Sequence, residues 1–315
     1  MTIAAVLVAY AACVGTLGAR MLGRARWTAR APLLAIVTYL TAGWSVVAAL
    51  GLAGLTLAVH ATALSGGLSH LIGACVLRLR ATYGTPGGAT VAGLGLTLAG
   101  AVAARTGLSA VTHLRAAGRQ ALRHAQTVRL VGRPEPALGA VLVEHAQPAA
   151  YCVARRHPTV VLTTGALQTL DPGQLHAVLA HEQAHLAARH HRLLAVARIG
   201  RLVLPFLPLM RDADAQVARL VEMHADDGAT RTSDPRSLAT ALVALATAGS
   251  PAAALAAAAT DSVQRVHRLL GPAEPLGRGR RQLLRAAAAS LALTPVLLAL
   301  TPALVALALG RLPVA

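Results

Sequence analysis

Lysine is absent from this 315-residue chain, aromatic residues make up only 2% of it, and carboxylates number 12. With so few aromatics, the apolar 55% is carried mainly by Ala, Leu and Val, which suit helices better than sheets. The shortage of acid leaves a formal net charge of +17, carried wholly by Arg. Such a balance points to nucleic acid or to an anionic membrane surface. There is no helix-turn-helix pattern and no basic stretch interleaved with aromatics, so direct nucleic-acid binding is not expected. The Arg residues instead cluster beside long apolar runs, which favours the lipid bilayer. Cysteine is scarce too. Cys13, Cys75 and Cys152 lie far apart, and none has CxxC spacing. That excludes a disulfide framework and a Cys-type zinc site, and leaves small buried apolar residues as their expected role.

What is present is apolar length. A bilayer crossing needs roughly 17 to 25 apolar residues. Runs of this kind cover Thr2 to Gly18, Ala31 to about Val59, Gly87 to Ala104, and about Leu283 to Leu309. The first run has no positive segment before it and is followed by Arg20, Arg24, Arg26 and Arg30. A cleaved signal peptide has the opposite polarity, so a retained span is expected. The Arg-rich segments at 19–31, 105–129 and 275–285 should be cytoplasmic, with the N-terminus outside. His60 to Leu77 is mildly apolar. It reads as an amphipathic helix on the outer face, with an extra span as the alternative, which would place the central region outside. The expected division is then 1–105 as a membrane region of about three spans, 106–282 as a cytoplasmic domain, and 283–315 as a last span with a short tail.

Within the central region, Thr127–Val131, Ala140–Val143, Tyr151–Ala154 and Thr159–Thr163 read as short strands, punctuated by Pro134, Pro136, Pro148 and Pro158. A helix then starts sharply, with Asp171 as N-cap, Pro172 at the first position and Gln174 completing a capping box. It should run at least to His190. It carries His181-Glu182-Gln183-Ala184-His185. Residues four apart share a helix face, so two imidazoles at that spacing can grip one ion. Zinc accepts nitrogen ligands tetrahedrally and, where catalytic, leaves one position for water. Glu182 is offset by about 100°. It sits beside the metal without ligating it, placed to take a proton from the activated water and pass it to a leaving amine.

A catalytic zinc of this type needs a third protein ligand. The chain has only five Glu, at 135, 144, 182, 222 and 274. Glu222 lies in a helical stretch, and Asp226, one turn on, is placed to accept a hydrogen bond from a ligand imidazole. His224 is the rival ligand but points to a different face. The expectation is one Zn2+ per chain on His181, His185 and Glu222, with Glu182 as general base and Asp226 behind a ligand. The fold expected is a mainly α membrane protein of about four transmembrane helices with a small α+β zincin-type metallopeptidase domain.

The run Tyr151-Cys152-Val153, the stretch Thr159 to Leu167, Leu175 to His185, and Glu222-x-x-x-Asp226 together resemble the gluzincin membrane peptidases. Two branches are candidates: the antirepressor-type, beta-lactam-sensor peptidases, and the heat-shock peptidase HtpX with the CAAX prenyl endopeptidases. The layout of three spans before and one after resembles the first. So does Leu193 to Met210, whose apolar run is broken by Arg198, Arg201, Pro205 and Pro208. It reads as an interfacial or re-entrant segment rather than a pair of spans. The sensors carry a penicillin-binding domain after the last span and this chain ends at Ala315, so a beta-lactam ligand is not expected.

The resemblance implies an integral membrane zinc endopeptidase acting on a protein or peptide, with a transcriptional repressor as one partner. Quality control of membrane proteins is the alternative, followed by a non-catalytic zinc-binding signalling protein. It also implies that substrate adds to a sheet edge beside the active-site helix, here Thr159, Val160, Val161, Leu162 and Thr163, unless these are a core strand. Arg265, His267 and Arg268 resemble a late basic segment that either reaches a substrate carbonyl or faces anionic lipid. His176, His190 and His191 are expected at the surface or the interface.

Overall fold

A computed structural model describes residues 2–58, 88–154, 158–249, 262–272 and 275–308. The stretch 60–77, Cys75 and one end of each of three apolar runs lie outside the described residues.

Among the described residues, four helices are long and apolar enough to cross a membrane. They are α1 (Thr2–Gly23), α2 (Pro32–Ala58), α3 (Gly88–Val131) and the C-terminal helix (Arg278–Ala308). A single π-type segment, Val14–Gly18, interrupts α1. Helix α2 is central, with Ile36, Tyr39 and Val46 almost fully buried. Tyr10 ties three helices together, donating to Ser45 Oγ at 3.0 Å and to the Leu291 carbonyl at 3.2 Å. Helices α2 and α3 cross at glycine. A Cβ on Gly54 would lie 2.6 Å from the Gly95 carbonyl oxygen, so only small residues allow this approach, as in packed membrane helices. Cys13 is exposed on α1 rather than buried.

Helix α3 does not stop at Arg105. It runs for 44 residues, and the expected boundary at 105/106 falls inside it. The expected strand Thr127–Val131 is its last turn. Beyond Gly118 nothing breaks the helix until Gly132 and Pro134, and Val128 is more usefully buried against Val153 and Val161 from this helical position. Arg105 donates to the Val203 and Leu202 carbonyls at 2.6 and 2.9 Å, holding the end of a later helix against α3.

The sheet has four strands, β1 (Gly132–Glu135), β2 (Ala140–Val143), β3 (Ala150–Val153) and β4 (Thr159–Thr163), in the order β1-β2-β4-β3. Strands β2 and β4 have the expected bounds. β4 is parallel to β2 and antiparallel to β3. It is therefore an interior strand, and Thr159 to Thr163 cannot be the edge that accepts a substrate. Its residues Val160 to Thr163 are buried, because both faces of the sheet are covered. One face packs Leu142, Val160 and Leu162 on Leu179, and the other packs Val161 and Val153 on Val128. The edge next to the active-site helix is β3.

After α4 (Thr164–Thr169) come α5 (Pro172–Ala187), α6 (His190–Val203), α7 (Pro208–Ala229), α8 (Pro235–Gly249) and a helix over 262–270. The α6–α7 turn lies against the long apolar helices, since Leu207 packs on Gly15 and Met210 on Gly43. One apolar core thus joins Leu7, Tyr39 and Val46 of the apolar helices to Val203, Met210 and Leu220.

Candidate metal centre

Helix α5 starts where local chemistry demands. Asp171 Oδ1 accepts from the Gln174 amide at 2.8 Å, and Gln174 Oε1 accepts from the Asp171 amide at 3.1 Å, the reciprocal capping box. Val178 and Leu179 bury into separate apolar clusters, so the helix is fixed along its length. Its opposite turns present His181, Glu182 and His185. Helix α7 crosses close by, and the approach depends on Gly228, where a Cβ would come within 2.6 Å of Ala184 Cβ.

That crossing brings Glu222 to the histidines. His181 Nε2 and His185 Nε2 are 3.1 Å apart, and each lies 3.5 Å from a Glu222 carboxylate oxygen. Zinc–nitrogen bonds of 2.0–2.1 Å at tetrahedral angles separate donors by about 3.3 Å. The three side chains therefore fit one zinc ion by spacing and by donor type, and they form a group able to hold a metal. His224 is not among them.

Two supports hold the imidazoles. Asp226 is wholly buried, with Oδ1 3.1 Å from His181 Nδ1. Burial disfavours the His181 imidazolium, but hydrogen bonding to Asp226 and Glu222 outweighs this and raises its pKa to about 9. Burial likewise disfavours charged Asp226, yet hydrogen bonds from Arg265 and His181 hold it down at about 2. On the other side, His185 Nδ1 lies 2.9 Å from His190 Nδ1, and His190 Nε2 lies 2.8 Å from His224 Nδ1. Metal binding requires a lone pair on His185 Nε2. Its proton then sits on Nδ1 and is donated to His190, which in turn donates from Nε2 to His224.

His190, expected at the surface or the interface, is 1% exposed. The reason is that α5 ends at Ala187 rather than running through 190. Arg189 adopts φ 52°, a left-handed conformation uncommon for a non-glycine residue, and redirects the chain. On an unbroken helix His190 would be turned about 140° from His185. We expect His190→Ala to weaken zinc binding about 10- to 100-fold, as loss of a ligand's supporting partner does. Competition titration with a chromogenic chelator measures this, and an unchanged affinity would remove His190 from the site.

Arg265, which the sequence suits equally to a substrate carbonyl or to anionic lipid, is buried in the site. Its Nη2 and Nε donate to Asp226 at 2.7 and 2.8 Å, and Nη1 lies 3.1 Å from Glu222. Arg268 pairs with Asp227 and donates to the Ala29 carbonyl, so it ties the segment before α2 to the site rather than facing lipid. Glu182 is pushed up to about 6, first by burial, partly offset by His181 and reinforced by Glu222. Cys152 of β3 faces it, and burial together with that carboxylate pushes the thiol up to about 12, so it stays protonated. Only a tertiary map could have found these partners.

The family model for peptidase family M48 matches residues 115–265. This chain is a zinc metalloprotease. The matched stretch contains α5, α7, the whole sheet and Arg265. A protease implies a protein or peptide substrate, and the four apolar helices are consistent with a multi-pass membrane protein. No curated protein and no solved structure matches the chain.

Proposed function

We propose that this protein is a multi-pass membrane endopeptidase that holds one zinc ion on His181, His185 and Glu222 and cuts a cytoplasmic or membrane-proximal protein. The observation that carries this is the convergence of three zinc-type donors beside a carboxylate that ligates nothing, on a framework whose α3 continues directly from an apolar span. Bound there, zinc supplies Lewis-acid polarisation of the scissile carbonyl and makes water acidic near neutral pH. Glu182 takes the proton from the attacking water and returns it to the leaving amine. Its raised pKa, at about 6, suits both halves of that transfer. Asp226 and His190 hold the two imidazoles with Nε2 turned inward.

Substrate enters as an extended strand on β3, which among the described residues pairs on one side only. The 14-residue α6 is too short to span, which supports the antirepressor-type branch and makes a repressor protein the partner to test first. Mass spectrometry of new protein termini in cells carrying wild-type or Glu182→Gln protein tests the reading. Termini seen with wild type alone name the substrate; identical sets of termini would refute the endopeptidase.

Two observations support a cytoplasmic site. Gly54 lies beside Gly95 and Ala99, and Gly51 beside Val102, so α2 and α3 run antiparallel and residues 58 and 88 share one end of the pair. The Arg-bearing segments before α2 and after the apolar part of α3 therefore fall toward the same end of that pair, as a shared cytoplasmic face requires. The bond from Arg268 to Ala29 also puts the segment with Arg24, Arg26 and Arg30 on the protease side. With Cys13, Cys75 and Cys152 replaced, a Cys introduced at Thr85 should react with an impermeant thiol reagent on intact cells. One introduced at Gln168 should not. Labelling at position 168 would place the site outside and exclude a cytoplasmic repressor.

A further inference from the structure

The turn between α6 and α7 carries the chain's only Phe, Phe206, which is 71% exposed. From Leu202 to Met210 the sequence holds no charged residue. Leu202, Pro205 and Phe206 face outward, while Val203, Leu204 and Leu209 are buried. Packing against its own chain therefore leaves the outward side of the turn unexplained. The turn reaches far between the apolar helices, with Leu207 on Gly15 of α1 and Met210 on Gly43 of α2. At about 1.5 Å per residue, Gly15 stands about 8 Å from Arg20 along α1, and Gly43 about 17 Å from Pro32 along α2. Both distances run inward from the end of the bundle that carries Arg20, Arg24, Arg26 and Arg30. Just beyond Gly43, Ser45 meets Tyr10, which also reaches the Leu291 carbonyl, near the middle of three long helices. The backbone of the turn is largely closed on itself. The amides of Leu204, Leu207 and Met210 donate to Gly200, Leu204 and Leu207, and Pro205 and Pro208 have no N–H to satisfy. Arg105 of α3 caps the end of α6 through the Val203 and Leu202 carbonyls.

We propose that this turn is a lipid wedge: Leu202, Pro205 and Phe206 sit among the acyl chains of the leaflet at the Arg-bearing end, and Arg105 is the clamp that lets α6 end there. The proposal rests on the reading of the long apolar helices as membrane spans. The depth fits, because one leaflet supplies about 15 Å of hydrocarbon. The last carbonyls of a helix commonly turn to water. Here two of them take a guanidinium from another helix, and two prolines remove donors from the turn, which is what hydrocarbon demands of irregular backbone. Charge begins only on either side of the turn. Arg201 and Arg211 have stems long enough to carry their heads back to the phosphates. Asp214 is held by Arg198 and Arg201 at 2.7 and 2.9 Å. Arg198, Arg201 and Arg211 outnumber Asp212 and Asp214, which suits an anionic headgroup layer. Both helices lead from the wedge to the metal centre, α6 to His190 and α7 to Glu222, over about 20 Å. With the turn in the leaflet, the metal centre stands close to the headgroups.

The test uses the full-length, zinc-loaded protein in phospholipid nanodiscs, with Cys13, Cys75 and Cys152 replaced. A single Cys introduced at Phe206, Leu94 or Gln168 carries a fluorophore. Lipids with a nitroxide on the acyl chain quench it from the hydrocarbon, and iodide quenches it from water. Leu94, 69% exposed on the apolar part of α3, is the lipid control, and exposed Gln168 the aqueous one. Acyl nitroxide should quench at 206 as strongly as at 94. Iodide should quench at 206 at least about tenfold less than at 168, because a bare ion is excluded from hydrocarbon. In Arg105→Leu the end of α6 loses its cap, so quenching at 206 should shift from the nitroxide toward iodide while that at 94 stays. Arg105→Gln tests the clamp where Arg105→Leu does not fold. Iodide quenching at 206 equal to that at 168 overturns the wedge. Quenching by neither, with self-quenching between labels when two copies share a disc, also overturns it and puts a second copy of the chain on the turn. A label unmoved in both Arg105 variants overturns the clamp. Position 94 separates the two readings. No acyl quenching there sinks the membrane spans, whereas acyl quenching at 94 without any at 206 sinks the wedge alone.

Discussion

Glu182→Gln is expected to lower kcat/KM for peptide hydrolysis by about 10²- to 10⁴-fold, the contribution of a positioned general base, while the purified protein keeps one zinc per chain. The amide preserves the shape of the carboxylate and its place beside Cys152, so the fold around α5 has no reason to change. What disappears is a group able to accept a proton near neutral pH, for which burial has set the Glu182 carboxyl at about 6. His181, His185 and Glu222 are untouched; the two Nε2 atoms lie 3.1 Å apart and each is 3.5 Å from one or the other Glu222 carboxylate oxygen, without any help from residue 182. Metal analysis and peptide kinetics on the same preparation separate the two functions. Loss of zinc in Glu182→Gln would make Glu182 a ligand, and retention of activity would remove it as the base.

Parts of this site lie open in the chain because they are local. The cap at Asp171 and the His–Glu–His spacing need only one helix, and β-branched residues between prolines mark β2 and β4. Glu222 emerges by scarcity, since few Glu residues compete for the role. Other parts depend on contacts between distant residues, which local pattern does not encode. β4 has strand chemistry, but its interior position depends on β3 folding back beside it. Residues 105–131 are rich in Arg and resemble a loop boundary, yet they continue one helix from an apolar run. His190 enters the site only because Arg189 takes a left-handed conformation, which side-chain type alone does not forecast. Arg265 reaches His181 across 84 residues of sequence.

Asp226 serves two partners at once, and its removal should therefore damage two properties that a second substitution can separate. Asp226→Ala deprives His181 of its support and should weaken zinc binding about 10- to 100-fold. It also strands Arg265, whose guanidinium is buried and gives Asp226 two hydrogen bonds. Breaking a buried pair by removing one member costs about 3–5 kcal/mol, because the remaining charge stays desolvated. Glu222, 3.1 Å from Arg265, offsets part of this but is half-exposed and better screened. Adding Arg265→Leu to Asp226→Ala removes the stranded charge, so stability against denaturant should recover by about 2 kcal/mol or more, since apolar replacement of a whole buried pair is often nearly neutral. Zinc affinity should not recover, because His181 still lacks its acceptor. Unfolding of the zinc-free proteins in detergent and chelator competition on the zinc-loaded ones read the two properties independently. If the double variant is no more stable than Asp226→Ala, the pair is not what holds α7 to the helix over 262–270. If it regains zinc affinity, the Asp226–His181 contact is not what positions the ligand.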